Sequence, residues 1–292
     1  MPGEKDFRKA RAHIVRGRTA LLGNTRDEIV RLLKQADVQI RAILAAQPTD
    51  YQRWALPRLQ QEIRQALAQF GEQAGARLST ASGQAWQLGQ DLVDEPLEAG
   101  GIRVAASLQH LDTGQLQAMR AFMTERIKDV GLAAANKINA ELGLVMIGAQ
   151  GPSDAIGKVA RILGEQSRAR ATTIVRTELS RAFSVASFER MKQSAGVVPG
   201  MKKQWRKSGK LHPRFYHDLA DGQVREMDEP FHFGNGAKLM FPHDPAASAA
   251  ETINCGCVML LFKDDWKVAH PKRSPGGLDM GPSLRELLPE AA

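Results

Sequence analysis

Cys255 and Cys257 are the only cysteines of this 292-residue chain, and a single residue separates them. Side chains two apart on an extended segment project from one face, so the pair presents two sulfurs together. Two thiolates in register suit a metal. Upstream, His212 and His217, with four residues between them, have a spacing that lets two imidazoles share one Zn²⁺. A structural zinc held by Cys255, Cys257, His217 and His212 is therefore expected, although the cysteine spacing is one residue shorter than the usual pattern. Asp221, His232 and His243 are further candidate ligands. The plainer alternative is two small buried thiols beside surface histidines. A disulfide between the pair is disfavoured, because residues two apart on a strand lie about 6.6 Å apart, near the limit for bridged Cα atoms.

A second cluster runs from Lys202 to Arg214, with six basic and no acidic side chains. Lys202, Lys203, Arg206, Lys207, Lys210 and Arg214 are the expected contacts to the phosphates of double-stranded DNA, sequence-independent and salt-sensitive. A solvated basic loop is the alternative, and Trp205 reads as a core anchor, since one aromatic makes a poor stacking platform. For acid-base work, His217 with Asp218 or Asp221 is the available pair. Arg176 and Glu178 would assist in that reading, yet on a helix they stand about 200° apart. They read better as buried polar staples with charged partners. No nucleophile with a placed base, no Gly-rich phosphate loop opening a helix and no paired-carboxylate metal motif accompanies them.

These residues need elements to hold them. Ahead of them the sequence is helical: Thr25-Arg26-Asp27-Glu28 reads as a capping box opening a helix that ends near Pro48. A second stripe runs from Leu56 to Leu92 and stops at Asp94-Glu95-Pro96, with a break or a close helix contact expected among Gly71, Gly75, Gly83 and Gly89. A third runs from Leu116 to Leu142, capped at Asp112 or Thr113. Gly148 to Asp154 is a hinge, followed by a short helix over Ile156 to Leu163 and a longer one over Arg168 to Met191. From Val197 glycine, proline, histidine and aromatics take over. Short extended runs at 203–206, 223–227 and 257–262 alternate with turns at Asp221-Gly222, Gly234-Asn235-Gly236 and Pro242 to Pro245. The expected fold is α+β: a long-helix N-terminal bundle or hairpin over 1–150, a small mixed domain over 151–270 and an extended tail over 271–292.

With 43% apolar and 25% charged residues the composition is that of a globular protein, and the cysteine count excludes a disulfide scaffold. No apolar run approaches the roughly 18 residues of a membrane span, so no membrane insertion is expected. The formal charge of +8 favours polyanions or an acidic partner.

Taken in order, Arg176-Thr177-Glu178, Trp205, Arg214-x-x-His217, Asp221-Gly222, Asp228-Glu229-Pro230-Phe231, Phe241-Pro242-x-Asp244-Pro245 and Glu251-x-x-Asn254-Cys255-x-Cys257 resemble the signature of the phage Mu protein F-like head morphogenesis proteins. The resemblance implies a minor head protein of a tailed phage, a variable helical region ahead of a shared domain, and a location in the virion at the portal vertex after assembly in the host cytoplasm. It implies the portal or major capsid protein as partner, roles in procapsid assembly and in the fate of packaged DNA at ejection, and a place where several copies could assemble. Two positions depart from the pattern: Lys210 where an Asp is common, and Gly256 where an Arg is common. The alternative function is a metal-dependent or His-based enzyme acting on DNA or nucleotides through His217, Asp221, Arg176 and Glu178; a toxin or effector domain on a phage-like scaffold ranks below it. In the leading reading, three helices form an open layer, with no fourth to close it, that docks on the partner through its apolar faces.

Overall fold

A computed structural model describes residues 4–45, 56–103, 108–209 and 213–263. The tail, Lys210 and His212 lie outside them. Helix α1 spans Glu4–Ala45, α2 Leu56–Ala99 and α3 Gly114–Met146. Helix α4 (Pro152–Arg161) continues through a π-helical turn (Ile162–Ser167) into α5 (Arg168–Ala195). None of the described helices is long and apolar enough to cross a membrane.

Two helix boundaries differ from the sequence expectation for identifiable reasons. Thr25 does not open α1; it is wholly buried in the middle of it. The apolar stripe extends upstream through Ile14 and Phe7, both buried, and burial of a longer face outweighs a local capping signal. Helix α2 also continues through Pro96 and stops three residues later, at Ala99. There Gly101 takes φ +88°, its N–H donates to Glu98 O (2.9 Å), and the Ile102 N–H donates to Leu97 O (2.8 Å). That pair of bonds satisfies the last carbonyls, and only glycine adopts the left-handed position cheaply.

The described chain forms two compact units. One comprises Leu21–Ser82 and Gly114–Glu178. Its core is made by Ile29, Leu33 and Ile40 of α1, Leu67 of α2, and Ile127 and Val130 of α3. Its helices are not an open three-helix layer, because α4 and the π turn belong to it too. Lys158 pairs with Glu141 (2.9 Å) and Lys137 Nζ donates to Gln166 Oε1 (2.6 Å), tying that fourth segment to α3. The turn from Gly148 to Asp154 lies inside this unit, between α3 and α4. Gly71 and Gly75 face Lys128 and Thr124 of α3 closely enough that a Cβ would sit 3.3 and 3.0 Å away, so the glycines mark a close helix contact and α2 is unbroken.

The other unit comprises Met1–Ala20, Gly83–Thr113 and Leu179–Ala292, taken at their described residues. It contains a three-stranded antiparallel sheet in the order β2-β1-β5, from β1 (Met201–Arg206), β2 (Val224–Arg225) and β5 (Val258–Lys263). Trp205 stands opposite Met259 in this register. A small hairpin pairs β3 (Phe231–His232) with β4 (Lys238–Leu239) around Gly236, at φ +82°. Short helices α6 (Phe215–Leu219) and α7 (Ala249–Thr252) complete it. The C-terminal half of α5 is buried on nearly all sides here, and the small side chain of Ala186 lets α2 approach at Gly89. A partly buried ion pair closes the unit: the buried Arg190 clasps Asp94 with Nε (2.7 Å) and Nη2 (2.6 Å) and donates to Gln109 O (3.0 Å).

Candidate functional site

The site is assembled where α6 meets the segment entering β5. Trp205 on β1 is fully buried and meets His217, Phe231 and Phe233 edge-on, at centroid distances of 5.3, 5.3 and 5.0 Å. This aromatic cage gives α6 a fixed seat. The end of α6 is fastened by Asp221, whose carboxylate accepts the Lys207 N–H (3.0 Å) and pairs with Arg206 (3.4 Å). The Gly222 N–H then donates to Trp205 O (2.9 Å), a turn that glycine reaches at φ +87°. His217 is thereby held with only 1% of its surface exposed.

From the other side, Asn254 adopts the left-handed conformation, φ 56°, and turns the chain just before Cys255. His243, also left-handed at φ 67° and fully buried, donates from Nε2 to Cys255 O (3.0 Å) and fixes that backbone. Burial holds the His243 imidazole neutral, its pKa lowered to about 4. The two thiols precede the strand, since β5 starts only at Val258, yet both still face His217.

The resulting geometry is compact. His217 Nε2–H donates to Glu251 Oε2 (2.7 Å), and Glu251 Oε1 accepts from Asn235 Nδ2 (2.9 Å). The other ring nitrogen, Nδ1, lies 3.6 Å from Cys255 Sγ and 3.6 Å from Cys257 Sγ. One ligand atom from each of the three residues falls within 4.8 Å of the others. Hydrogen bonding between the sulfurs, and then to His217, draws the Cys255 thiol pKa well down, while the same bond to Cys255, and then burial, push the Cys257 thiol up. Both cysteines are free and buried. They border an open pocket of about 230 Å³ with Ser208, Pro213, Arg214, His217, Asn254 and Gly256.

Of the expected zinc ligands, His217, Cys255 and Cys257 come together and His212 lies outside the described residues. Asp221 is engaged with Arg206 and Lys207, and His243 with the Cys255 backbone. The partner of His217 is Glu251, so the geometry does not form the His217–Asp221 pair expected for acid-base chemistry. Arg176 and Glu178 belong to the other unit; Arg176 is exposed and Glu178 is buried with Arg126 3.8 Å away.

The basic stretch is largely consumed internally. Lys203 is fully buried and donates to Met227 O (3.2 Å) and Met240 O (2.9 Å), which removes it from the set expected on phosphates. Alternation along β1 turns it inward while Lys202 pairs outside with Glu226 (2.8 Å). Arg206 pairs with Asp221, Lys207 with Asp218, and Arg214 Nη2 donates to Ile253 O. Lys210 lies outside the described residues.

Two residues of the site were not singled out from spacing. Glu251 appears only as one letter of the family signature. Arg18 is buried, donates to Ser180 Oγ (2.8 Å), lies over the Phe183 ring and interacts electrostatically with both cysteines. Its signal was available: it interrupts the apolar stripe between Ile14 and Ile29 at a core position.

Comparison with known proteins bears on the same region. A family model described as phage Mu protein F like protein matches residues 114–260, half of the chain, including His217, Glu251, Cys255 and Cys257. The uncharacterized protein YqbB of Bacillus subtilis (strain 168) is 43% identical over 98 residues, covering 32% of this chain and 30% of that relative. The chain thus matches less than a third of that relative's length. No solved structure matches.

Proposed function

The chain belongs to the phage Mu protein F-like family of head morphogenesis proteins, and from that premise we propose that it is a minor component of a tailed-phage head that docks on the portal or capsid assembly through its helical unit. The single observation that carries the docking part is the outward face of α3. Phe122 (49% exposed), Leu132 (60%) and Leu144 (38%) stand in water, although the opposite face of the same helix buries Met123, Ile127, Val130 and Ile138. At 100° per residue the three exposed side chains fall within an arc of about 120°. A helix apolar on both faces has one face in excess of what its own core uses.

Leu67, Phe70 and Leu78 of α2 are core residues, exposed by 2% or less. Polar changes there would unfold the unit and say nothing of docking. The informative variants are Phe122→Ser and Leu132→Glu in the full chain. Normal circular dichroism with loss of the protein from purified heads supports the reading. Normal incorporation of the double variant moves attachment elsewhere. Handling of packaged DNA has weaker support, because four cations of the basic stretch are paired or bonded within the chain and a fifth is buried.

A further inference from the structure

We propose that His217 Nδ1 and the sulfurs of Cys255 and Cys257 bind one Zn²⁺, with the fourth coordination position opening on the adjoining pocket. This inference stands on the geometry of the site and is independent of the head-assembly reading.

The two sulfur–nitrogen distances match those of a tetrahedral centre. With Zn–S near 2.3 Å and Zn–N near 2.05 Å, a tetrahedral angle separates sulfur from nitrogen by about 3.6 Å. Both sulfurs lie 3.6 Å from Nδ1. Hydrogen bonding alone does not account for that symmetry. Since Nε2–H is given to Glu251, Nδ1 has one lone pair and accepts one S–H, so no bond to the ring requires the equal approach of the second sulfur, which bonds the first. A cation on the nitrogen's axis satisfies both thiolates at once.

The surroundings are those of a metal ligand set. A carboxylate on the far nitrogen of a ligating histidine fixes its tautomer and raises its basicity. Glu251 does this, and Asn235 in turn fixes Glu251. The Ser208 backbone N–H is directed at Cys257. Charge also balances: two thiolates neutralise Zn²⁺, so the buried centre carries no net charge. Among the described residues the set has three protein ligands, all lining the pocket beside Ser208 and Arg214, and water or an anion can complete it from there.

The test uses the full-length protein purified without chelators from zinc-supplemented medium. Elemental analysis is expected to give one zinc per chain, and a content well under one overturns the proposal. X-ray absorption at the zinc edge should show two sulfurs near 2.3 Å and two lighter neighbours. A first shell without sulfur overturns it equally. Cys255→Ser and Cys257→Ser should each abolish stoichiometric zinc; should either fail to fold, the wild-type measurements still decide. Glu251→Gln should keep the fold and weaken zinc in chelator competition by about 10–100-fold. An unchanged affinity overturns the placement of the metal on Nδ1.

Discussion

Lys203 shows how far residue type alone can mislead. In sequence it is one of six cations in a basic run, while in the fold it lies between the rings of Phe188 and Phe231, 4.9 and 5.2 Å from their centroids. Burial lowers its pKa from 10.5 to about 8, against the raising influence of Asp228, Asp244 and Glu229. Between those values the unfolded chain binds the proton and the folded chain does not, so stability rises with pH through that window. Its contribution is complete above 10.5 and lost as pH falls through 8. Wild type should therefore gain on Lys203→Met between pH 7.5 and 10, by up to about 1.4 kcal/mol per pH unit. Urea unfolding at the two pH values measures this, and parallel pH profiles would refute it. The same burial and pairing bear on DNA. Six phosphate contacts would give log K a slope near −5 against log salt, at about 0.9 per contact. With the five described cations of this set engaged internally, a fluorescence titration should return a slope shallower than −2; a slope near −5 restores the cluster as a DNA surface. The juxtaposition of Cys255 and Cys257 was legible in their spacing, and His217, 38 residues from Cys255, was picked out by residue type as a candidate ligand. Glu251 was legible only as one letter of the family signature, and Arg18 only as a charge interrupting an apolar stripe, since hydrogen bonds across 34 and 162 residues leave no local period that names the partner.

At the scale of elements, apolar periodicity located the long helices and turn chemistry located the strands, but helix ends followed tertiary packing. The short hairpin of β3 and β4 and the one-turn helices α6 and α7 were missed because two to five residues are too few to establish a period. Glycine positions test this packing directly. At Gly131 of α3 a Cβ would sit 2.6 Å from Leu67 O of α2, and at Gly89 it would sit 2.4 Å from Phe183 O of α5. Neither backbone can yield without separating helices, so Gly131→Ala and Gly89→Ala should each destabilise by roughly 1–3 kcal/mol. Gly143, also within α3, has nothing within 4 Å of that position. Gly143→Ala should instead stabilise by about 0.5–1 kcal/mol through helix propensity. Thermal melts of the three variants separate the two effects. A Gly131→Ala protein as stable as Gly143→Ala would mean that α2 and α3 do not approach as described.

At the scale of the molecule, the expectation of an α+β chain with a long-helix N-terminal part is met, and the order of its elements was legible. Which segments share a core was not. Helical stripes state that a face is buried without stating against what, and here α1, α2 and α5 each contribute residues to both compact units. The consequence concerns truncation. Removing residues 1–110 should, on the sequence reading, leave a folded C-terminal fragment. In the structure it takes away Arg18, whose guanidinium bonds Ser180 and covers Phe183, and the α2 surface that meets α5 at Gly89. It also takes away Asp94 and Gln109, the principal partners of the buried Arg190. An arginine left buried without its carboxylate costs about 3–5 kcal/mol, a large share of the stability of an ordinary domain. Residues 111–292 expressed alone should therefore lack a cooperative unfolding transition and the near-ultraviolet signal of the Trp205 cage. Asp94→Asn in the full chain should reproduce part of that loss while leaving the helices intact. A fragment that melts cooperatively with native near-ultraviolet dichroism would show that the sheet, α6 and α5 are self-sufficient, and that α1 and α2 are additions to them.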